Sequence, residues 1–386
     1  MFDVVVVGAR CGGAPAAMLL ARAGHRVLLL DRSRALGDTL STLYIQPAGV
    51  RLLDQWGLLG ELAATGCPPI THRTFGIGEV TLAGAAETAY APRRRILDQA
   101  LAGAAVGAGA EFRPGWAVRD VLRDGDRVTG VRCRTPDGDR DVRARLVVGA
   151  DGVRSRVARA TGARTQVEHP VLTCAYYTYW SGVPAQFETY SGPGRAVGCF
   201  PTHADQTLVV TYFPHEAFAR VREDPMEAYL ANVRATAPDL FRRMCAGRQR
   251  DRLYGTGWQP NYLRRAAGPG WALVGDAGHH KDSITAQGIT DAFHQARILA
   301  GCVGRDVSDE DGLDAALDGY AAARDALAER NFPTTLHLAS LEVPEDLDRL
   351  RALAADPAAT AQVLAAFGGS YPDDVADLVP ASTLAG

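Results

Sequence analysis

A chain of 386 residues, 47% hydrophobic and 22% charged, has globular composition and is long enough to bury more than one core. Its 41 basic and 44 acidic side chains leave a formal charge of −3, which argues against a nucleic-acid partner. Seven cysteines without a Cys-x-x-Cys pair argue for a reducing compartment, against disulfides and against a metal site.

In chain order, Phe2-Asp-Val-Val-Val-Val7 reads as a short strand apolar on both faces, as in a covered parallel sheet. Gly8-Ala-Arg-Cys-Gly-Gly13 turns it into a helix over Ala14–Ala23, ended by Gly24, and a second strand from Arg26 to Leu30 finishes at Asp31. Pro15 fits the first turn, whose N–H groups have no intrahelical partner. An acid at this distance from a glycine turn suits a ribose hydroxyl, and the helix start suits a pyrophosphate. One position departs from the G-x-G-x-x-G pattern: Arg10 stands where the second glycine belongs. It either supplies positive charge near phosphate or points into solvent.

Residues 47–63 and 93–107 carry helical periodicity, and 116–148 reads as a three-stranded meander with turns at Asp124-Gly-Asp126 and Pro136-Asp-Gly138. Leu146-Val-Val-Gly-Ala-Asp151-Gly152 is another strand running into a glycine turn. Across 168–258 the rhythm changes to strands near 171–181, 186–191, 195–201 and 206–213, an antiparallel sheet suited to a substrate domain. There Tyr176, Thr178 and Trp180 share one face and Tyr177 and Tyr179 the other, as a wall for a planar molecule or as ordinary sheet packing. A third strand-to-turn signal follows: Trp271-Ala-Leu-Val274, then Gly275-Asp276 through Gln287-Gly288, then a helix to about Val303. Residues 306–386 read as a helical C-terminal layer, with helical periodicity over 312–330 and shorter helices punctuated by Pro333, Pro344 and Pro357. No apolar run reaches the roughly 18 residues of a membrane helix, and the start lacks a signal-peptide profile, so the expected location is the cytoplasm.

Three strand-to-turn signals thus meet at the carboxyl edge of one sheet, where open α/β sheets bind ligands. Gly8-Ala-Arg-Cys-Gly-Gly13, Gly149-Ala-Asp-Gly152 and Gly275-Asp276, in this order and spacing, resemble the FAD-dependent monooxygenases with a single dinucleotide-binding domain. That superfamily includes para-hydroxybenzoate hydroxylase, geranylgeranyl reductases and flavin-dependent halogenases. The resemblance spans about residues 1–305. It implies an α/β fold: a Rossmann-like FAD-binding domain over 1–167 and 259–305, an interleaved antiparallel substrate sheet over 168–258, and the helical layer.

By this resemblance Gly8, Gly12, Gly13 and Asp31 hold the adenosine diphosphate part of FAD, with Arg10, Arg32 and Val118 also counted as cofactor residues. Arg94, in Arg94-x-x-Leu97, reaches the ribityl or phosphate region, Asp276 accepts from ribityl hydroxyls, and Gln287 and Gly288 bring backbone N–H groups to the flavin N1–O2 edge. Asp151 serves FAD, a visiting nicotinamide cofactor or only the turn. Lys281, the only lysine, holds substrate or flavin charge or is a solvated loop residue. His279 and His280 are candidate proton shuttles, of which at most one faces the flavin, while Tyr44 and Tyr176 are candidates for substrate handling.

The implied reaction is hydroxylation of an aromatic or polyketide-like small molecule by oxygen through a flavin C4a-hydroperoxide, with NADH or NADPH as a transient donor. Ser283 departs from the proline usual in such hydroxylases. The rival is an ene reductase of geranylgeranyl-reductase type, whose cysteine-glycine segment is missing from Asp38-Thr-Leu-Ser-Thr-Leu-Tyr-Ile-Gln-Pro47. A halogenase is disfavoured because Trp-x-Trp is absent and Lys281 stands elsewhere than the halogenase lysine. A third class uses FAD as scaffold for a binding or cyclisation cavity.

Overall fold

The structure is a computed structural model that describes residues 1–344 and 347–372. Its first sheet runs in the order Ala267–Gly268, Trp271–Leu273, Gly138–Gly149, Phe2–Val7, Val27–Asp31, Glu111–Pro114. Phe2–Val7 is central and parallel to both neighbours. Its valines do not alternate in polarity because both faces are covered. Val4 and Val6 meet the helices Gly13–Arg22, Arg94–Gly107 and Gly288–Val303, whereas Val5 and Val7 meet the meander strands Ala117–Asp124 and Arg127–Thr135. The expected meander over 116–148 is present, and its last strand continues into the parallel sheet.

The second sheet follows the order Arg248–Gln249, Thr173–Ser181, Gln206–Pro214, Arg195–Thr202, Phe187–Gly192, Ile70–Ile77, Val80–Ala89. The four expected strands are there within a residue or two. Two more come from a segment that the sequence reading left in the nucleotide-binding half. Ile70–Ile77 pairs in parallel with Phe187–Gly192, a contact between distant parts of the chain that no local turn signal announces. Alternation along Thr173–Ser181 separates two cores: Ala175, Tyr177 and Tyr179 face inward, while Tyr176 and Trp180 pack under the helices Pro225–Thr236 and Pro238–Ala246.

The C-terminal layer differs from its expected form in one respect. Glu310–Ala339 is a single helix that passes through Pro333 rather than stopping there. Proline inside a helix removes a hydrogen bond and costs about 3 kcal/mol, but here the flanking Asn331, Phe332 and Thr335 are buried, and their packing holds the helix together. This helix braces the first sheet from behind. The Tyr320 hydroxyl donates to the Leu273 carbonyl at 2.5 Å, and Arg324 donates to the carbonyls of Gly278 and Arg264. Helices Asp348–Ala355 and Pro357–Ala366 then lie over the Val80–Ala89 edge of the second sheet. Residues 373–386 of the expected layer lie outside the described residues. Among the described residues no helix is long and apolar enough to cross a membrane.

Candidate active site

At the nucleotide end, the chain leaves the central strand through Gly8 at φ +104°, a conformation that side chains disfavour. A methyl group on Gly8 would overlap the Ala150 carbonyl, and one on Gly13 would overlap the Gly8 carbonyl. Gly12 is less constrained, since its nearest neighbour would be Val274 at 3.4 Å. The helix after the turn has no side-chain cap on its first amides. Asp31 closes the other side, accepting from Ala9 N at 3.0 Å and Ser33 N at 2.7 Å. Arg32 beside it is exposed. The Trp116 amide donates to the Asp31 carbonyl, which brings the strand of buried Val118 to this edge.

Arg10 does not simply point into solvent. Its guanidinium is pinned to Asp98 at 2.5 Å and to the Gly37 carbonyl at 2.9 Å. Asp98, fully buried, also takes Arg94 at 3.0 Å and the Cys11 thiol at 3.3 Å. Burial opposes the Arg94 charge, but Cys11, Asp98 and Asp276 nearby outweigh it and raise its pKa. Two arginines are thereby held at the mouth of the glycine turn by one carboxylate. Asp151 uses its carboxylate on the following helix start, accepting from Ser155 Oγ at 2.5 Å and Arg156 N at 2.6 Å, so its geometry suits the turn.

The third loop is built differently at its two ends. Gly275 at φ +63° turns the chain so that Asp276 is exposed, while its own carbonyl accepts from the Tyr262 hydroxyl at 2.5 Å. His279 is buried against Phe332 with Nδ1 3.2 Å from Gln295 Nε2, and burial followed by the Lys281 and Arg324 charges pushes its pKa well down. His280 faces the other way, Nδ1 2.5 Å from the Pro260 carbonyl and its ring on Tyr262. Lys281 is buried rather than solvated: Nζ donates to Gln287 Oε1 at 2.7 Å and pairs with Asp291 at 3.0 Å. Gln287 is also buried, but Gly288 is exposed and begins the helix Gly288–Val303, again without a side-chain cap. Ser283 makes contacts that a proline could not, its Oγ donating to Gln259 Oε1 at 2.6 Å and lying 3.2 Å from the Tyr212 hydroxyl.

Sequence reasoning passed over Asp282, which has a distinctive environment. Burial drives its pKa up to about 6, even though the Thr173 hydroxyl donates to it at 2.6 Å and the Ile284 amide at 3.1 Å. A carboxyl group with a raised folded-state pKa stabilises the fold below its unfolded pKa, and that contribution is lost as pH rises through about 6. Stability of the loop is therefore expected to fall between about pH 4 and 6. In D282N this step is expected to disappear from a plot of unfolding midpoint against pH, and an unchanged step in that variant would exclude Asp282 as its source.

Facing the loop is the inner side of the second sheet. Tyr44 and Tyr177 share a core with Phe75, Tyr179, Phe187, Phe200 and Tyr212, and Ala286 and Ile284 of the loop pack into it. Tyr44 and Phe187 rings are 4.5 Å apart. Tyr176 is not part of this wall: strand alternation turns it outward against Phe213. Within the wall lies an unforeseen charge. Arg73 is 2% exposed, with Nη2 donating to the Tyr44 hydroxyl at 3.2 Å and Gln46 Oε1 at 3.0 Å. Gln46 in turn donates to the Thr285 carbonyl at 3.0 Å. The signal was present in the strand: Arg73 occupies the same phase as Phe75, an arginine at an apolar position.

A family model described as FAD binding domain matches residues 1–335. The chain belongs to this FAD-binding family. Among curated relatives, digeranylgeranylglycerophospholipid reductase 1 of Methanopyrus kandleri is 31% identical over 327 residues, 81% of this chain and 83% of that protein. The 6-methylpretetramide 4-monooxygenase of Streptomyces rimosus is 27% identical over 350 residues, 85% and 81% of the two chains. The structure of P. aeruginosa PqsL in complex with 2-aminobenzoylacetate is similar at TM-score 0.72 and 25% identity, covering 94% of this chain and 99% of that one. This FAD-dependent oxidoreductase has backbone donors that suit its cofactor. The turn at Gly8 and Gly13 admits no Cβ, two uncapped helix starts face one sheet edge, and Asp276 and Gly288 are open.

Proposed function

We propose that this flavoprotein is a monooxygenase acting on a planar, aromatic or polyketide-like small molecule. In the overall reaction a substrate C–H, oxygen, NADH or NADPH and a proton become C–OH, water and the oxidised nicotinamide. The observation that carries the reading is the aromatic inner wall around Tyr44, Tyr177, Phe187 and Phe200, packed against Ile284 and Ala286 of the loop. Flat rings pack well on such a wall in offset or edge-to-face contact. A relative named as a 4-monooxygenase of 6-methylpretetramide supports it.

In this reading Gly8, Gly12 and Gly13 let backbone approach the FAD pyrophosphate, and Asp31 takes the adenosine ribose, with Arg10, Arg32 and Val118 around it. Arg94 and Asp276 hold the phosphate and ribityl part. Gln287 and Gly288 present the helix start to the electron-rich edge of the ring. Bound FAD supplies activation of oxygen once reduced. The protein excludes water, fixes the substrate and moves protons. Asp151 serves its own turn. His279, buried and with its pKa held down, acts as a neutral brace rather than a shuttle, which leaves His280 as the half-exposed imidazole of the loop.

The reductase reading has support of its own, since the 31%-identical relative is named a digeranylgeranylglycerophospholipid reductase. The two part on oxygen. Purified holoprotein is incubated with NADH or NADPH and a panel of phenols, quinones and prenyl lipids, with and without air. Product gaining one oxygen atom only in air is expected. Product gaining two hydrogens equally well without air would replace hydroxylation by alkene reduction.

A further inference from the structure

Arg73 has no anionic partner among the described residues. Its partners there are the Leu364 carbonyl, the Tyr44 hydroxyl and the Gln46 amide oxygen, none of them a carboxylate, and its Nε has no partner. A guanidinium at 2% exposure is costly unless an anion or several acceptors compensate it. The acceptors it has are neutral: Tyr44, Gln46 and, through Nη1 at 2.6 Å, the Leu364 carbonyl. That carbonyl belongs to the last turn of Pro357–Ala366, where helix carbonyls concentrate partial negative charge. A weak negative end thus sits where a full negative charge would be better matched. The surroundings are aromatic: Phe187 and Phe367 centroids are each 5.9 Å from the guanidinium carbon. The position suits chemistry too, because Gln46 links Arg73 directly to the Thr285 carbonyl in the loop.

We propose that Arg73, with Gln46 and Tyr44, is the recognition site for an acidic oxygen, a carboxylate or an ionised enol, carried by the planar substrate. The proposal rests on reading the inner wall as the substrate face. The acidic oxygen takes the guanidinium fork in place of the Leu364 carbonyl, and the substrate ring lies along Phe187. Helix capping alone explains Nη1 but leaves Nε and the buried charge unexplained.

The test is calorimetric titration of FAD-loaded protein with two matched pairs: 2-aminobenzoate against 2-aminobenzamide, and 2-hydroxy-1,4-naphthoquinone against 1,4-naphthoquinone. Wild type is expected to prefer the anion of at least one pair by about 30-fold or more, and the pair that shows it tells carboxylate from enol. R73M is expected to abolish the preference, the anion of each pair then binding no tighter than its neutral partner, while FAD content stays unchanged. R73K, which keeps the charge in a tolerant shape and loses the fork, is expected to keep only part of it and decides the matter if R73M does not fold. No anion preference in either pair, or a preference that survives loss of the fork and charge, overturns the proposal. Anion preference without oxygen-dependent product leaves this site standing and removes hydroxylation, whereas hydroxylation of neutral rings without preference does the reverse.

Discussion

Replacing Lys281 by methionine is expected to destabilise the fold by about 3–5 kcal/mol, the cost of stranding a buried charge. Its partner Asp291 has a side chain only 6% exposed and, among the described residues, keeps the Tyr371 hydroxyl at 2.7 Å once the ammonium is gone. Gln287 loses its donor as well, so the whole entry to the helix Gly288–Val303 loosens. The carboxylate sits in the first turn, where the helix dipole favours it, but that favour is worth about 0.3–1 kcal/mol and does not replace an ion pair. The double variant K281M/D291N removes both charges, keeps an acceptor for Tyr371, and is expected to recover most of the loss. Urea unfolding of the three proteins measures this. A single variant within about 1 kcal/mol of wild type would show that the pair does not hold the loop.

Asp276→Ala is expected to weaken FAD binding by about 10- to 100-fold, as for loss of one or two hydrogen bonds to a charged acceptor. The side chain is exposed on a turn held by Gly275 and by Tyr262, so its removal opens no cavity and leaves the fold intact. Loss of negative charge beside Arg94 works in the same direction on the loop but not on stability, because Asp98 remains with that arginine. Titration of apoprotein with FAD, followed by flavin fluorescence, gives the affinity directly. Protein that stays fully flavinated on dilution would remove Asp276 from the cofactor site, and D276N, which keeps an acceptor without charge, is expected to fall between.

What the sequence by itself determined is the nucleotide-binding half. A run of valines, a glycine turn, a helix and Asp31 are neighbours in the chain, and their meaning is local: each needs only the residues beside it to set its geometry. The alternation of Tyr176 and Tyr177 was equally legible as a period of two. Which of those faces looks toward the loop was not, because that depends on which side the helices Pro225–Thr236 and Pro238–Ala246 cover. Lys281 and Arg73 make the point most sharply. Side by side with histidines in a polar loop, Lys281 reads either as a holder of substrate or flavin charge or as solvated, and it is in fact buried by a helix that follows it and by Tyr371 far beyond. Arg73 looks like an ordinary strand residue until Phe187–Gly192 pairs beside it and Pro357–Ala366 closes over it. Burial of a charge is a property of everything packed around it, and those neighbours arrive from distant parts of the chain, so only the tertiary structure decided where this protein buries its charges.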